Sequence, residues 1–128
     1  MRPARLIRLM RRPPTVHDAR AAWWAWRALR ATRAQLSAGA VRNVRVPAAP
    51  LVPQTAGRAV RLVLSREEPS CLERSLVLQR WLLAQGVARD VVIGTSGNAS
   101  KQFTAHAWLD GEHVPEARGY VEMIRLAP

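Results

Sequence analysis

The chain has one cysteine, one lysine, one phenylalanine and one tyrosine, and these scarcities exclude several classes of protein. A single cysteine rules out an internal disulfide framework and fits a reducing, cytoplasmic compartment. There is no CxxC pair, and the scattered His17, His106 and His113 give no HxxxH spacing, so no metal-ligand set is indicated. No stretch approaches the ~18 consecutive apolar residues of a membrane-spanning helix, and arginine interrupts Met1–Arg12 too often for a signal-peptide core. Acid is nearly missing from one half. Residues 1–64 hold thirteen arginines and the lone acid Asp18, a net charge of +12, whereas residues 65–128 carry −1. That asymmetry suits an acidic partner, a nucleic acid or an anionic membrane and does not choose among them. At 128 residues the chain is long enough for one cored domain and too short for two.

What is present centres on Cys71. Pro69 punctuates the chain, Ser70 is an N-cap candidate, and Glu73 follows three residues on, so the spacing predicts a capping box with Cys71 at the first helical position. Free backbone amides and the positive end of the helix dipole there favour a thiolate. Leu72, Leu76, Leu78, Trp81, Leu82 and Leu83 populate several faces before Gly86 stops the helix, so it is expected to be buried on most sides. A lone cysteine is more often a small core residue than a nucleophile. Here the capping box, and His106 in the extended run Phe103–Leu109, favour a thiol nucleophile with its base.

The N-terminal half reads as helix from Thr15 or Asp18 to about Leu36, because alanine, arginine and leucine dominate. Trp23, Trp26, Leu29 and Ala22 are expected to pack onto the rest of the chain or a partner while arginines reach water. A basic helix facing nucleic acid or lipid is the rival reading. Val46–Pro53, with three prolines, is an extended connector, and Gly57–Ser65 another helix. After Gly86 the period changes. Val91–Ile93, ending at Gly94, and Gln102–Leu109 read as strands. Asp110-Gly111 is a two-residue turn from which a return strand begins at Glu112, and Tyr120–Leu126 is a last strand. Helices followed by a small antiparallel sheet give an α+β domain. Within it residues 1–57 form a basic, mainly helical region and 58–128 a catalytic core.

Cys71-Leu-Glu-Arg-Ser-Leu-Val-Leu-Gln-Arg-Trp-Leu-Leu-Ala-Gln-Gly-Val87, then Val92-Ile-Gly94, then Ala105-His-Ala-Trp108 before Asp110-Gly111, resembles the transglutaminase-like cysteine peptidases of lasso peptide biosynthesis, the B-type leader peptidases. The likeness spans roughly residues 58–116. It implies a papain-like site of Cys71, His106 and a carboxylate that needs no cofactor. It also implies a precursor peptide as substrate, a separate leader-recognition protein that delivers it, and an asparagine-synthetase-like cyclase that closes the macrolactam. The arginines at 27, 30 and 33 would then support docking with those partners, with no nucleic acid expected and membrane association not required.

Where that family places its aspartate, about twelve residues after the histidine, this chain has Arg118. Glu116 is the assigned carboxylate, with Asp110 as the alternative. Asp110 lies about 13 Å along a strand from His106. A strict two-residue hairpin pairs His106 with Pro115 and turns Glu116 to the other face, so Glu116 requires an irregularity. Trp108, on the strand face of His106, either shields the site or is a core aromatic. Gln54, Gln79 and Gln102 are the candidate side-chain oxyanion donors. Two alternative functions stand beside the peptidase: a transglutaminase-like acyl transferase with an amine acceptor, and a non-enzymatic basic adaptor.

Overall fold

The computed structural model describes residues 13–96, 104–112 and 119–128. Helix α1 (Val16–Ala38) begins in a capping box: the Thr15 hydroxyl accepts from the Asp18 amide at 3.2 Å, and the Asp18 carboxylate accepts from the Thr15 amide at 2.9 Å. Such a cap contributes about 1 kcal/mol. The buried stripe of α1 is Ala21, Trp24, Ala25, Ala28, Leu29 and Thr32, the spacing of one helical face. This corrects the expected packing. Trp24, not Trp23 or Trp26, enters the core, where it tilts against Trp81 at 6.1 Å and donates its indole N–H to the Pro47 carbonyl. Trp23 is 60% exposed and stacks on the half-buried Trp26, over which the Arg30 guanidinium lies at 4.8 Å. Leu29 is buried as expected, and Ala22 is half-buried.

The chain leaves α1 through a short 3₁₀ turn (Val41–Asn43) and an extended connector. The Gln35 side-chain amide fixes that connector by pairing with the Arg45 backbone in both directions, at 2.8 and 2.7 Å. A second 3₁₀ turn (Gln54–Ala56) leads into α2 (Gly57–Glu67), which buries Val60 and Leu64. Glu68, Pro69 and Ser70 then join α2 to α3 (Cys71–Ala84). Helix α3 is buried along Ser75, Leu76, Val77, Leu78, Gln79 and Trp81, the several-sided burial its leucines predict. It stops at Gly86, whose φ of +81° is accessible to glycine at no steric cost.

Strands β1 (Val91–Ser96), β2 (Ala105–Leu109) and β3 (Tyr120–Leu126) form one antiparallel sheet in the order β2-β1-β3. Strand β1 runs two residues past Gly94, because Thr95 and Ser96 pair with both neighbours or with β3. Strand β2 starts at Ala105; Gln102 and Phe103 lie outside the described residues. The core joins α1, α2 and α3 to the sheet through Val91, Ala107 and Leu109. No helix among the described residues is long and apolar enough to cross a membrane.

Of the expected return strand only Glu112 is among the described residues, and it is not part of a strand; the positions after it, Val114 included, lie outside them. Asp110-Gly111 does make the turn, with Gly111 at φ +85° and the Glu112 amide donating to the Leu109 carbonyl, but among the described residues β2 pairs with β1 alone. The Asp110 amide donates to Asp90 and the Ser96 amide to Thr104, so the antiparallel alternation points the amides of Ala107 and Leu109 away from β1. The Ala107 amide meets the Cys71 sulfur and the Leu109 amide meets the Glu112 carboxylate. Pro115, the expected partner of His106 across the turn, lies outside the described residues.

Candidate active site

The start of α3 is built as its sequence indicates. The Ser70 hydroxyl accepts from the Glu73 amide at 3.2 Å, and the Glu73 carboxylate accepts from the Ser70 amide at 2.9 Å. The first intrahelical bond runs from the Arg74 amide to the Ser70 carbonyl at 3.0 Å. The amides of Cys71 and Leu72 therefore stand at the helix mouth without an acceptor among the described residues, the donor geometry that binds anions at helix N-termini.

Two contacts outside the helix hold this start. Arg33 of α1 donates from Nε to the Glu73 carboxylate at 3.3 Å and from Nη2 to the Glu67 carbonyl at 2.8 Å, clasping both sides of the α2–α3 joint. Arg33 is thus engaged within the chain at the α2–α3 joint. Arg74, one turn beyond Cys71, pairs with Glu112 at 3.4 Å and ties α3 to the turn after β2.

Cys71 is half-buried, and its sulfur accepts from the Ala107 amide at 3.4 Å. Ala107 directly follows His106, so the α3–β2 interface brings the thiol to within one peptide unit of the histidine-bearing residue. The His106 ring stacks on Trp108 at 5.9 Å and tilts against Tyr120 at 5.7 Å, and Trp108 meets Tyr120 edge-on at 6.2 Å. Gly94 of the central strand makes room for this cluster. A Cβ there would lie 2.8 Å from the Trp108 ring and 3.0 Å from the Val121 carbonyl. Tyr120 and Gly94 were missed as site residues from sequence. The lone tyrosine of the chain was an available signal, but nothing local ties it to a residue fourteen positions earlier.

The other candidates separate. Asp110 is half-exposed and bound to Arg125 at 2.9 Å; that hydrogen bond, ahead of the arginine's charge, holds its carboxyl below the usual aspartate range. Arg125 also pairs with Asp90 and Glu122, so Asp110 belongs to a surface charge network. Glu116, His113, Arg118 and Gln102 lie outside the described residues. Gln79 is buried two turns along α3 and donates to the carbonyls of Arg89 at 2.9 Å and Leu126 at 2.8 Å. It serves as a structural tie and is withdrawn as an oxyanion donor. Gln54 is exposed in the 3₁₀ turn ahead of α2. Among the described residues no group of three His, Cys, Asp or Glu side chains is placed to hold a metal ion.

The transglutaminase-like superfamily model matches residues 15–125, and the chain belongs to that superfamily. Its members include cysteine peptidases and acyl transferases and are in general catalytic. The match begins at the N-cap of α1, so the basic N-terminal helix lies within the family domain and not ahead of it. No curated protein and no solved structure matched the chain.

Proposed function

We propose that this protein is a cysteine peptidase that removes the leader from a ribosomally made lasso precursor peptide, before an asparagine-synthetase-like cyclase closes the macrolactam. The single observation that carries a thiol-dependent acyl chemistry is the Cys71 sulfur at the mouth of α3, 3.4 Å from the amide that follows His106. What narrows the reading to leader removal is the ordered set of motifs from Cys71 to Gly111. A separate leader-recognition protein delivers the precursor.

In this reading the Cys71 thiol passes its proton to His106 and the sulfur attacks the carbonyl carbon of the leader–core bond. The resulting oxyanion takes hydrogen bonds from the helix-start amides. As the tetrahedral centre collapses, the C–N bond breaks and His106 returns its proton to the leaving amine. Water, deprotonated by His106, then cleaves the thioester and regenerates the thiol. Trp108 shields the imbalance of charge from solvent, and Glu116 orients His106.

Mass spectrometry of the precursor incubated with enzyme and recognition protein tests this directly. The expected products are free leader acid and core peptide, lost completely in Cys71→Ala. Glu116→Gln should cut turnover by orders of magnitude with the fold retained, while Asp110→Asn should be close to neutral because Asp110 is committed to Arg125. A product whose new carboxyl carries an amine in place of water would assign acyl transfer, the second activity the superfamily contains. Full cleavage by Cys71→Ala would sink both.

A further inference from the structure

A cavity of about 590 Å³ lies on the side of α3 away from β2 and takes no part in the proposed chemistry. Leu76 and Arg80 on its wall are five and nine residues beyond Cys71, about 8–13 Å along the helix. Its apolar surface is aliphatic: Val41, Val44, Val46, Leu76 and Leu126. Four arginines, Arg42, Arg45, Arg80 and Arg125, also line it, and no acidic side chain does. Arg125 is neutralised by Asp90, Asp110 and Glu122. The other three are not: Arg45 reaches only the carbonyls of Arg42 and Val44, and Arg42 and Arg80 meet no carboxylate among the described residues. Arg42 and Arg45, two of the thirteen arginines of the first half, therefore meet Arg80 around one aliphatic hollow.

We infer that this cavity is a docking site for an extended peptide segment that alternates carboxylate and aliphatic side chains. Guanidinium groups match carboxylates through two parallel hydrogen bonds, and three uncompensated ones around a single hollow select for anionic groups. The aliphatic walls then require apolar side chains between those groups, and an extended peptide supplies that alternation at every second residue. The volume exceeds what a lone oxyanion fills and falls in the range of sites that bury a sizeable ligand. No aromatic residue lines the hollow, so the stacking platform that single-stranded nucleic acid uses is missing from it. Its concavity likewise differs from the flat basic face that lies on a bilayer. This site stands apart from the nucleophile, and the inference holds whether or not Cys71 is catalytic.

The test uses the full chain carrying Cys71→Ala, so that turnover does not interfere, and a fluorescein-labelled synthetic peptide of alternating glutamate and leucine, read by anisotropy. Binding should saturate, weaken with added salt, and fall roughly tenfold in Arg42→Gln/Arg80→Gln, two exposed or half-exposed changes that leave the core intact. Peptides with glutamate replaced by glutamine, or leucine by serine, should each bind more weakly than the parent. Equal binding of the glutamate–serine peptide would reduce the effect to surface charge and overturn the proposal. So would undiminished binding by the double variant. Tighter binding of oligothymidine or of phosphatidylglycerol vesicles, with the same dependence on Arg42 and Arg80, would reassign the cluster to nucleic acid or membrane.

Discussion

Cys71 and His106 sit on facing elements that are held by different forces. The helix carrying the thiol is fixed by polar contacts: a capping box, and Arg33 bridging Glu67 and Glu73 from a third helix. The imidazole on the facing strand is held by rings, with His106, Trp108 and Tyr120 packed around a glycine. Polar clasps are directional and define the position of a helix terminus within a narrow range. Ring contacts are broader and depend on space, so the packing of the imidazole rests on volume, and the carboxylate proposed for it acts within that packing.

The largest expected effect comes from filling that space. Gly94→Ala should cost about 1–3 kcal/mol by overpacking, because the Val121 carbonyl cannot move as a side-chain tip can. It should slow peptide cleavage by displacing Trp108 from His106, while iodoacetamide labelling of Cys71 stays at the wild-type rate. Arg33→Met should do the reverse. It loses two charge-assisted hydrogen bonds at a site more than a third exposed, so about 1 kcal/mol is expected after solvent screening. Cys71 labelling should change, whereas near-ultraviolet circular dichroism from the aromatic cluster should not. If both variants move both readouts equally, the two halves are one cooperative unit and the contrast is wrong.

A smaller effect separates the distal cap of α1 from both. The Arg58 guanidinium at 2.9 Å, with the Thr15 amide, lowers the Asp18 carboxyl to about 2. The ordinary value is about 3.9, so the folded state favours ionised Asp18. Its contribution is fully present above about pH 4 and is lost as pH falls through 2. Melting temperatures of the wild type and Asp18→Asn should therefore differ most near neutrality and converge between pH 4 and 2. A gap that persists unchanged at pH 2 would exclude this account.

The sequence was legible wherever the signal was local. Ser70 and Glu73 announce the start of α3 because a capping box needs only four consecutive residues, and Gly86 marks its end for a similar reason. The rows Ala22-Trp26-Leu29 and Ala21-Trp24-Ala25-Ala28 lie side by side on an alanine-rich helix, so periodicity alone did not choose the buried tryptophan. Contacts distant in sequence left no pattern at all. Arg33 meets a residue forty positions away, and Tyr120 reaches His106 only because β3 crosses back to the far side of β1. The Asp110-Gly111 turn is legible from two adjacent residues, whereas the meeting of the Ala107 amide with the Cys71 sulfur depends on what packs against β2 and leaves no local mark.

The joint between α2 and α3 is only Glu68, Pro69 and Ser70, and Glu68 adopts the left-handed conformation at φ 47°, unfavourable for a residue with a Cβ. So short a link works as a ruler. Adding or removing one residue would turn α3 by about 100° and slide it ~1.5 Å, carrying the sulfur off the edge of the sheet. The connector between Val44 and Pro53 is tied at Arg45, Pro47 and Val52, but it runs in extended backbone and carries the exposed Leu51, where added length meets solvent. In a lineage of such chains, insertions should therefore accumulate before α2 and be purged between Glu67 and Cys71.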